Sequence, residues 1–106
     1  MRILFDQGTP VPLRESLARH EVATAYERGW SKLKNGELLD AAENATFEVF
    51  VSTDRNLRYQ QNLRSRRMAI VVLSTPSWLR IARALTVVVR AVDTARPGSY
   101  VEVEIP

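Results

Sequence analysis

Arg2-Ile3-Leu4-Phe5-Asp6 and Phe47-Glu48-Val49-Phe50-Val51-Ser52-Thr53-Asp54 are two apolar runs, and each leads into an aspartate. Read as parallel strands of one α/β sheet, they carry both carboxylates to its carboxyl edge, where open α/β sheets bind their ligands. Outward from these runs, apolar stretches alternate with helical patterns along the whole chain. That order is expected of βαβ units around a mostly parallel sheet. After the first strand, Thr9-Pro10-Val11-Pro12 opens a helix to about His20, with Leu13 and Leu17 four apart on its buried side. Glu21 to Ala25 reads as a short strand, and Tyr26 to Lys34 as irregular. Asn35 is placed to cap the next helix, where Leu38, Ala41, Ala42 and Ala45 recur at helical spacing and Glu37 lies in the first turn, favoured there by the helix dipole.

Met68 to Leu73 supplies a further central strand, since Ile70-Val71-Val72-Leu73 is apolar on both faces, as a strand covered by helices on each side must be. Thr75 or Ser77 then begins the longest helix, with Trp78, Ile81, Leu85, Val88 or Val89, and Val92 in one stripe and Arg80, Arg83 and Arg90 facing away. Val87-Val88-Val89 is a poor helix former within it, and Pro97-Gly98 stops it. Tyr100 to Ile105 alternates strictly, with Val101, Val103 and Ile105 on one face. This is the pattern of a half-exposed edge strand, expected to be antiparallel.

The 106 residues are enough for one hydrophobic core and too few for two, so residues 1–106 are expected to form a single domain. A composition 45% hydrophobic and 25% charged is that of an ordinary globular protein and argues against disorder. With no cysteine there is neither a disulfide framework nor a thiolate metal site, and a single histidine argues against a histidine-rich zinc site. Asp6 interrupts the first apolar run too early for a signal peptide, and no run approaches the ~18 apolar residues of a membrane span. The expected location is the cytoplasm, without membrane contact. A net charge of +3 is a modest lean toward anionic partners.

Two constellations carry chemistry. Asp6, Glu37 and Asp54 would give hard oxygen ligands to Mg2+ or Mn2+, ions that keep several waters and need only a few carboxylates. Read structurally, the same acids are helix caps and a dipole-matched surface residue. Directly after Asp54, five arginines lie close together: Arg55, Arg58, Arg64, Arg66 and Arg67, interleaved with Asn56, Tyr59, Gln60, Gln61 and Asn62. Arginines hold phosphates and Tyr59 can stack on an unpaired base, so Arg55, Asn56, Arg58, Tyr59, Arg64 and Arg67 are candidate substrate contacts. The bland alternative is a solvated face. His20 reads as a helix-end residue, Ser74 and Thr75 as turn and cap residues, and Trp30 and Trp78 as core or interface anchors. Lys32-Leu33-Lys34-Asn35-Gly36 lacks the glycine spacing of a Walker loop, which argues against a nucleotide cofactor.

Leu4-Phe5-Asp6-Gln7-Gly8-Thr9-Pro10, Asn35-Gly36-Glu37-Leu38-Leu39-Asp40-Ala41-Ala42 and Ser52-Thr53-Asp54-Arg55-Asn56-Leu57 together resemble the successive motifs of short PIN-like proteins, relatives of PIN-domain nucleases and VapC-type toxins. The resemblance covers about the first three quarters of the chain. It implies a three-layer α/β/α sandwich and an acidic metal site in which Asp6 and Asp54 match the strand-end acids and Glu37 the acid of the intervening helix. It also implies metal-dependent endonucleolytic cleavage of single-stranded RNA, as the toxin half of a type II toxin-antitoxin pair. Expected partners are RNA, an antitoxin protein and a second copy in a homodimer. Gln7 and Asn56 stand where such proteins often have further acids, so the alternative is a degenerate module that binds RNA or a protein without hydrolysis. A receiver-like phosphoacceptor ranks below both, because the paired acid after strand one and a lysine after the last parallel strand are missing.

Overall fold

The computed structural model describes residues 1–60, 63 and 65–106. Its five strands are β1 (Arg2–Phe5), β2 (Glu21–Thr24), β3 (Val49–Ser52), β4 (Ala69–Leu73) and β5 (Tyr100–Val103). They form one sheet in the order β2-β1-β3-β4-β5, and every neighbouring pair is parallel. Between them, among the described residues, lie a 3-10 helix (Val11–Leu17) and the α-helices α1 (Asn35–Asn44), α2 (Leu57–Gln60), α3 (Trp78–Ala82) and α4 (Leu85–Asp93).

Strand periodicity sorts the core into two clusters on opposite faces of the sheet. Ile3, Phe5, Val49, Val51, Val71 and Leu73 pack with Leu13 and Leu17 of the 3-10 helix and with Ile81, Val88 and Val92 of α3 and α4. Leu4, Phe50, Ile70 and Val72 point the other way, onto Leu38, Leu39 and Ala42 of α1 and Leu57 of α2. Both faces are therefore covered, and β3 and β4 are buried at every position. Truncating a side chain such as the fully buried Phe50 to alanine would cost about 3–5 kcal/mol.

The strand order fixes where a ligand can sit. After β1 the chain crosses to β2 on one side, and after β3 it crosses to β4 on the other. The connections diverge and leave a crevice at the carboxyl ends of β1 and β3. Asp6 directly follows β1, and Thr53 and Asp54 directly follow β3.

Several expectations need correction. The last strand is not antiparallel: β5 pairs parallel to β4, with Ile70 opposite Tyr100 and Leu73 opposite Val103. Alternation reports that a strand has one exposed face and says nothing of its direction. Direction is set by the connection, and α3 and α4 return the chain to the amino edge before β5 begins. The long helix is split at Arg83 and Ala84, where Ala84 leaves helical geometry (φ −126°, ψ 26°). An unbroken helix from 78 to 93 would be ~24 Å long, against ~17 Å for a five-residue strand, so two shorter segments follow the sheet better. Arg80 ties α3 to the chain end through the carbonyls of Ile105 (2.9 Å) and Pro106 (3.0 Å). The first helix is a 3-10 helix that ends at Leu17, entered through the bond from Leu13 N–H to the Pro10 carbonyl (3.1 Å). Asn35 is the first residue of α1 and not its cap, a position taken by Lys34.

Candidate functional site

Asp6 is held at the mouth of the crevice by neighbours on both strands. The Thr9 hydroxyl donates to its Oδ1 (2.7 Å), and the Ser52 hydroxyl, from the last residue of β3, donates to its Oδ2 (2.5 Å). Ser52 Oγ in turn accepts the backbone N–H of Asp54 (3.0 Å), so one serine links the two aspartates. Burial pushes the Asp6 carboxyl above its ordinary range. Bonds from the Ser52 and Thr9 side chains and from the Gly8 and Thr9 backbone pull against that shift without cancelling it. Among the described residues no cation contributes to that balance.

The Thr9 hydroxyl has one hydrogen and two acceptors, Asp6 Oδ1 and the Val51 carbonyl (3.0 Å). It can turn to Val51 and release a lone pair on Asp6. Gly8 makes the close approach possible, because a Cβ there would sit 2.7 Å from Thr53 Oγ1. Asp54 accepts the Asn56 N–H on Oδ1 (2.9 Å) and the side-chain N–H of Asn35 on Oδ2 (3.1 Å), which joins the start of α1 to the same edge. The asparagine expected to cap α1 is thus turned toward the strand-end acid.

Glu37 is exposed, and its Oε1 accepts the Lys34 N–H (3.1 Å), closing the first turn of its own helix. Among the described residues no three Asp, Glu or His side chains gather into a metal-holding group. The structure therefore links Asp6 and Asp54 and gives Glu37 a capping bond. Two carboxylates can still suffice for a hard cation that keeps most of its water, since Mg2+ is usually held by one or two of them together with substrate phosphate.

The arginine stretch divides. Arg55 and Arg58 stay at the carboxyl edge, where they pair with acids of the chain end: Arg55 with Glu104 (3.4 Å) and Arg58 with Glu102 (3.0 Å). Arg58 also lies over the Tyr59 ring (4.6 Å) and donates to its hydroxyl (2.5 Å). Tyr100 donates to Glu102 (3.0 Å), its phenol pushed up to about 12 by burial and by that carboxylate. Arg66 and Arg67 have already crossed to the amino edge, as a parallel β4 requires, and contact Glu43 there (2.9 and 3.9 Å). Arg67 is therefore not brought to the acids. Gln61, Asn62 and Arg64 lie outside the described residues.

Some features were not anticipated from the sequence. Ser52 and Thr9 are the side chains that fix Asp6, and the only signal for them was a hydroxyl residue within three positions of each strand-end acid. His20 pairs through Nε2 with Asp93 (2.6 Å), 73 residues away and at the amino edge. A cleft of about 370 Å³ opens beside Asp6, bounded by Gln7, Val11, Tyr26 and Glu27. A second cavity, of about 320 Å³, lies at the amino edge among Glu43, Phe47, Arg67 and Pro97, away from the strand-end acids. Comparison with protein-family models, curated proteins and solved structures yields no match.

Proposed function

We propose that this chain is a PIN-like, divalent-cation-dependent endoribonuclease acting on single-stranded RNA, built on a three-layer α/β/α sandwich, with Asp6 and Asp54 as protein ligands of Mg2+ or Mn2+. The observation that carries this reading is Asp6: a half-buried carboxyl at the switch point, without a cation partner among the described residues and with its protonation pushed upward. Withdrawing an acid from water without a counter-charge costs stability, so its presence at a ligand-binding edge argues for use there. When bound, the cation would acidify a coordinated water and neutralise charge on the scissile phosphate. The residues supply the rest. Ser52 holds the two acids in a fixed relation, Thr9 can free Asp6 Oδ1, and Asn35 and the Asn56 N–H orient Asp54. Arg55 and Arg58, exposed at the same edge, can exchange Glu104 and Glu102 for the phosphates of a strand.

The capping bond of Glu37 and the intramolecular pairing of both arginines favour a second reading, a module that binds RNA without cutting it. One experiment separates them. Single-stranded RNA is incubated with the protein and Mn2+ or Mg2+, and compared with Asp6→Asn and Asp54→Asn purified identically. Hydrolysis requires cleavage that chelator abolishes and that each substitution lowers by about a hundredfold or more, since each removes a ligand and a charge. Equal residual cleavage in all three preparations would assign it to contamination and leave the binding module. The toxin role adds that expression is harmful to the cell and that Asp6→Asn relieves the harm.

A further inference from the structure

The arginine surface lies on the β5 side of the acids, while the cleft of about 370 Å³ lies on the β2 side. Its walls are chemically unlike the arginine surface. Tyr26 is 77% exposed and Val11 54% exposed, although both are apolar or aromatic groups bordering a concavity. Tyr26 follows β2 by two residues and the 3-10 helix begins at Val11, so regular structure positions both. The charged groups at the rim are Asp6 and Glu27. Glu27 is fastened by a two-pronged pair with Arg14 and accepts the Thr24 N–H (3.0 Å). Gln7 donates to the Ser31 carbonyl (2.9 Å), which fixes its amide and leaves its carbonyl oxygen as an acceptor.

A phosphate would find no cation lining this cleft among the described residues, since neither Lys nor Arg borders it and the neighbouring Arg14 is already paired with Glu27. A flat, uncharged, aromatic ring with hydrogen-bonding edges needs no cation and covers the exposed phenol ring. We propose that the cleft beside Asp6 is a base-binding subsite in which one unpaired nucleobase of the RNA strand stacks on Tyr26. This rests on the single-stranded RNA reading above. It assigns opposite ends of the crevice to different parts of one nucleotide chain: phosphates toward Arg55 and Arg58, a base toward Tyr26, and the strand-end acids between them.

The test measures affinity for a labelled eight-nucleotide single-stranded RNA in the presence of chelator, as a function of salt. Wild type is compared with Tyr26→Ala and Tyr26→Phe, which leave folding intact because the ring is exposed. Stacking on one base makes Tyr26→Ala about five- to a hundredfold weaker, with an unchanged slope of log K against log salt, because no phosphate contact is lost. Tyr26→Phe keeps the ring and stays within about twofold of wild type. Equal affinity of wild type and Tyr26→Ala overturns the subsite, and so does a shallower salt slope in Tyr26→Ala, which would make the contact one to phosphate. Binding that depends on Tyr26 in a protein that never cleaves with Mn2+ supports the subsite and overturns hydrolysis alone. Absence of any binding by wild type overturns both.

Discussion

The two edges of this sheet treat their least exposed acids differently. At the amino edge, acids meet donors on the neighbouring elements: Arg66 bonds Asp40 (2.5 Å) and Glu43 (2.9 Å), and the His20 ring bonds Asp93 (2.6 Å). At the carboxyl edge, the half-buried Asp6 sits among hydroxyls and N–H groups with no cation from the described residues, while the nearby arginines are occupied by Glu102 and Glu104. Both edges belong to the same five short strands, so the difference is not one of fold. The amino edge ties the crossovers together, and the carboxyl edge leaves Asp6 without a counter-charge. On the function proposed above, that contrast is the one between an acid held for structure and an acid held for a ligand.

The largest effect that sharpens the contrast belongs to the amino edge. Arg66→Ala strips the main charged partner from Glu43, whose side chain is only 15% exposed, and leaves its carboxylate with the Arg67 backbone N–H (3.0 Å) and the more distant Arg67 guanidinium (3.9 Å). Such a loss costs about 2 kcal/mol, below the 3–5 of a fully buried pair, or roughly 10 °C in Tm for a domain of this size. Urea denaturation checks it, and a change below about 0.5 kcal/mol would place this cluster among ordinary surface pairs.

A smaller effect of opposite sign belongs to Asp6. Its folded carboxyl titrates above the ordinary value, so the folded state binds the proton more tightly than the unfolded chain. That contribution to stability is fully present below the unfolded pKa and is lost as pH rises through the folded one. Asp6→Asn removes the titration and can keep the Thr9 and Ser52 contacts. The variant should therefore gain on wild type as pH rises from the ordinary carboxylate range toward neutrality, and should be no less stable at neutrality. An Asp6→Asn protein that loses stability at pH 7 would show that the ionised carboxylate is held for structure.

The smallest effect is expected at the exposed arginines. Arg58→Ala removes a surface pair with Glu102 and should change stability by less than about 0.5 kcal/mol, while weakening RNA binding and lowering its salt slope by about 0.7. A stability loss well above that limit would place Arg58 with the amino-edge cluster.

Much of this was legible in the sequence, for identifiable reasons. Ile3-Leu4-Phe5 and Val49-Phe50-Val51 are strands buried on both faces, so their composition announced them, and each run's end announced where its aspartate would emerge. α1 was legible from Leu38 and Ala42, four apart on one buried face. The direction of β5 was not, because Val101 and Val103 alternate identically in a parallel or an antiparallel edge. The break at Ala84 was not, because Ile81, Leu85 and Val88 keep helical spacing across it. At the site, adjacency along the chain misled: Arg67 lies only 13 positions after Asp54 but at the other end of the sheet, since β4 must restart at the amino edge. Glu37 was legible as an acid in a first turn, and its bond to the Lys34 N–H is the ordinary capping use of that position. Tyr26 was passed over because exposure beside a cavity is a property of three dimensions.

If the unpaired charge at the carboxyl edge is kept for a divalent cation, thermal unfolding against Mn2+ concentration reports it, for wild type, Asp6→Asn, Asp54→Asn and Glu37→Gln. A ligand that binds only the folded state stabilises it by about 2.7 kcal/mol at a hundred times its Kd. Wild type and Glu37→Gln should rise together with Mn2+, because the amide can accept the same capping bond, while Asp6→Asn and Asp54→Asn stay flat. A flat wild type, or the same rise in all four proteins, would mean that Asp6 and Asp54 hold no cation.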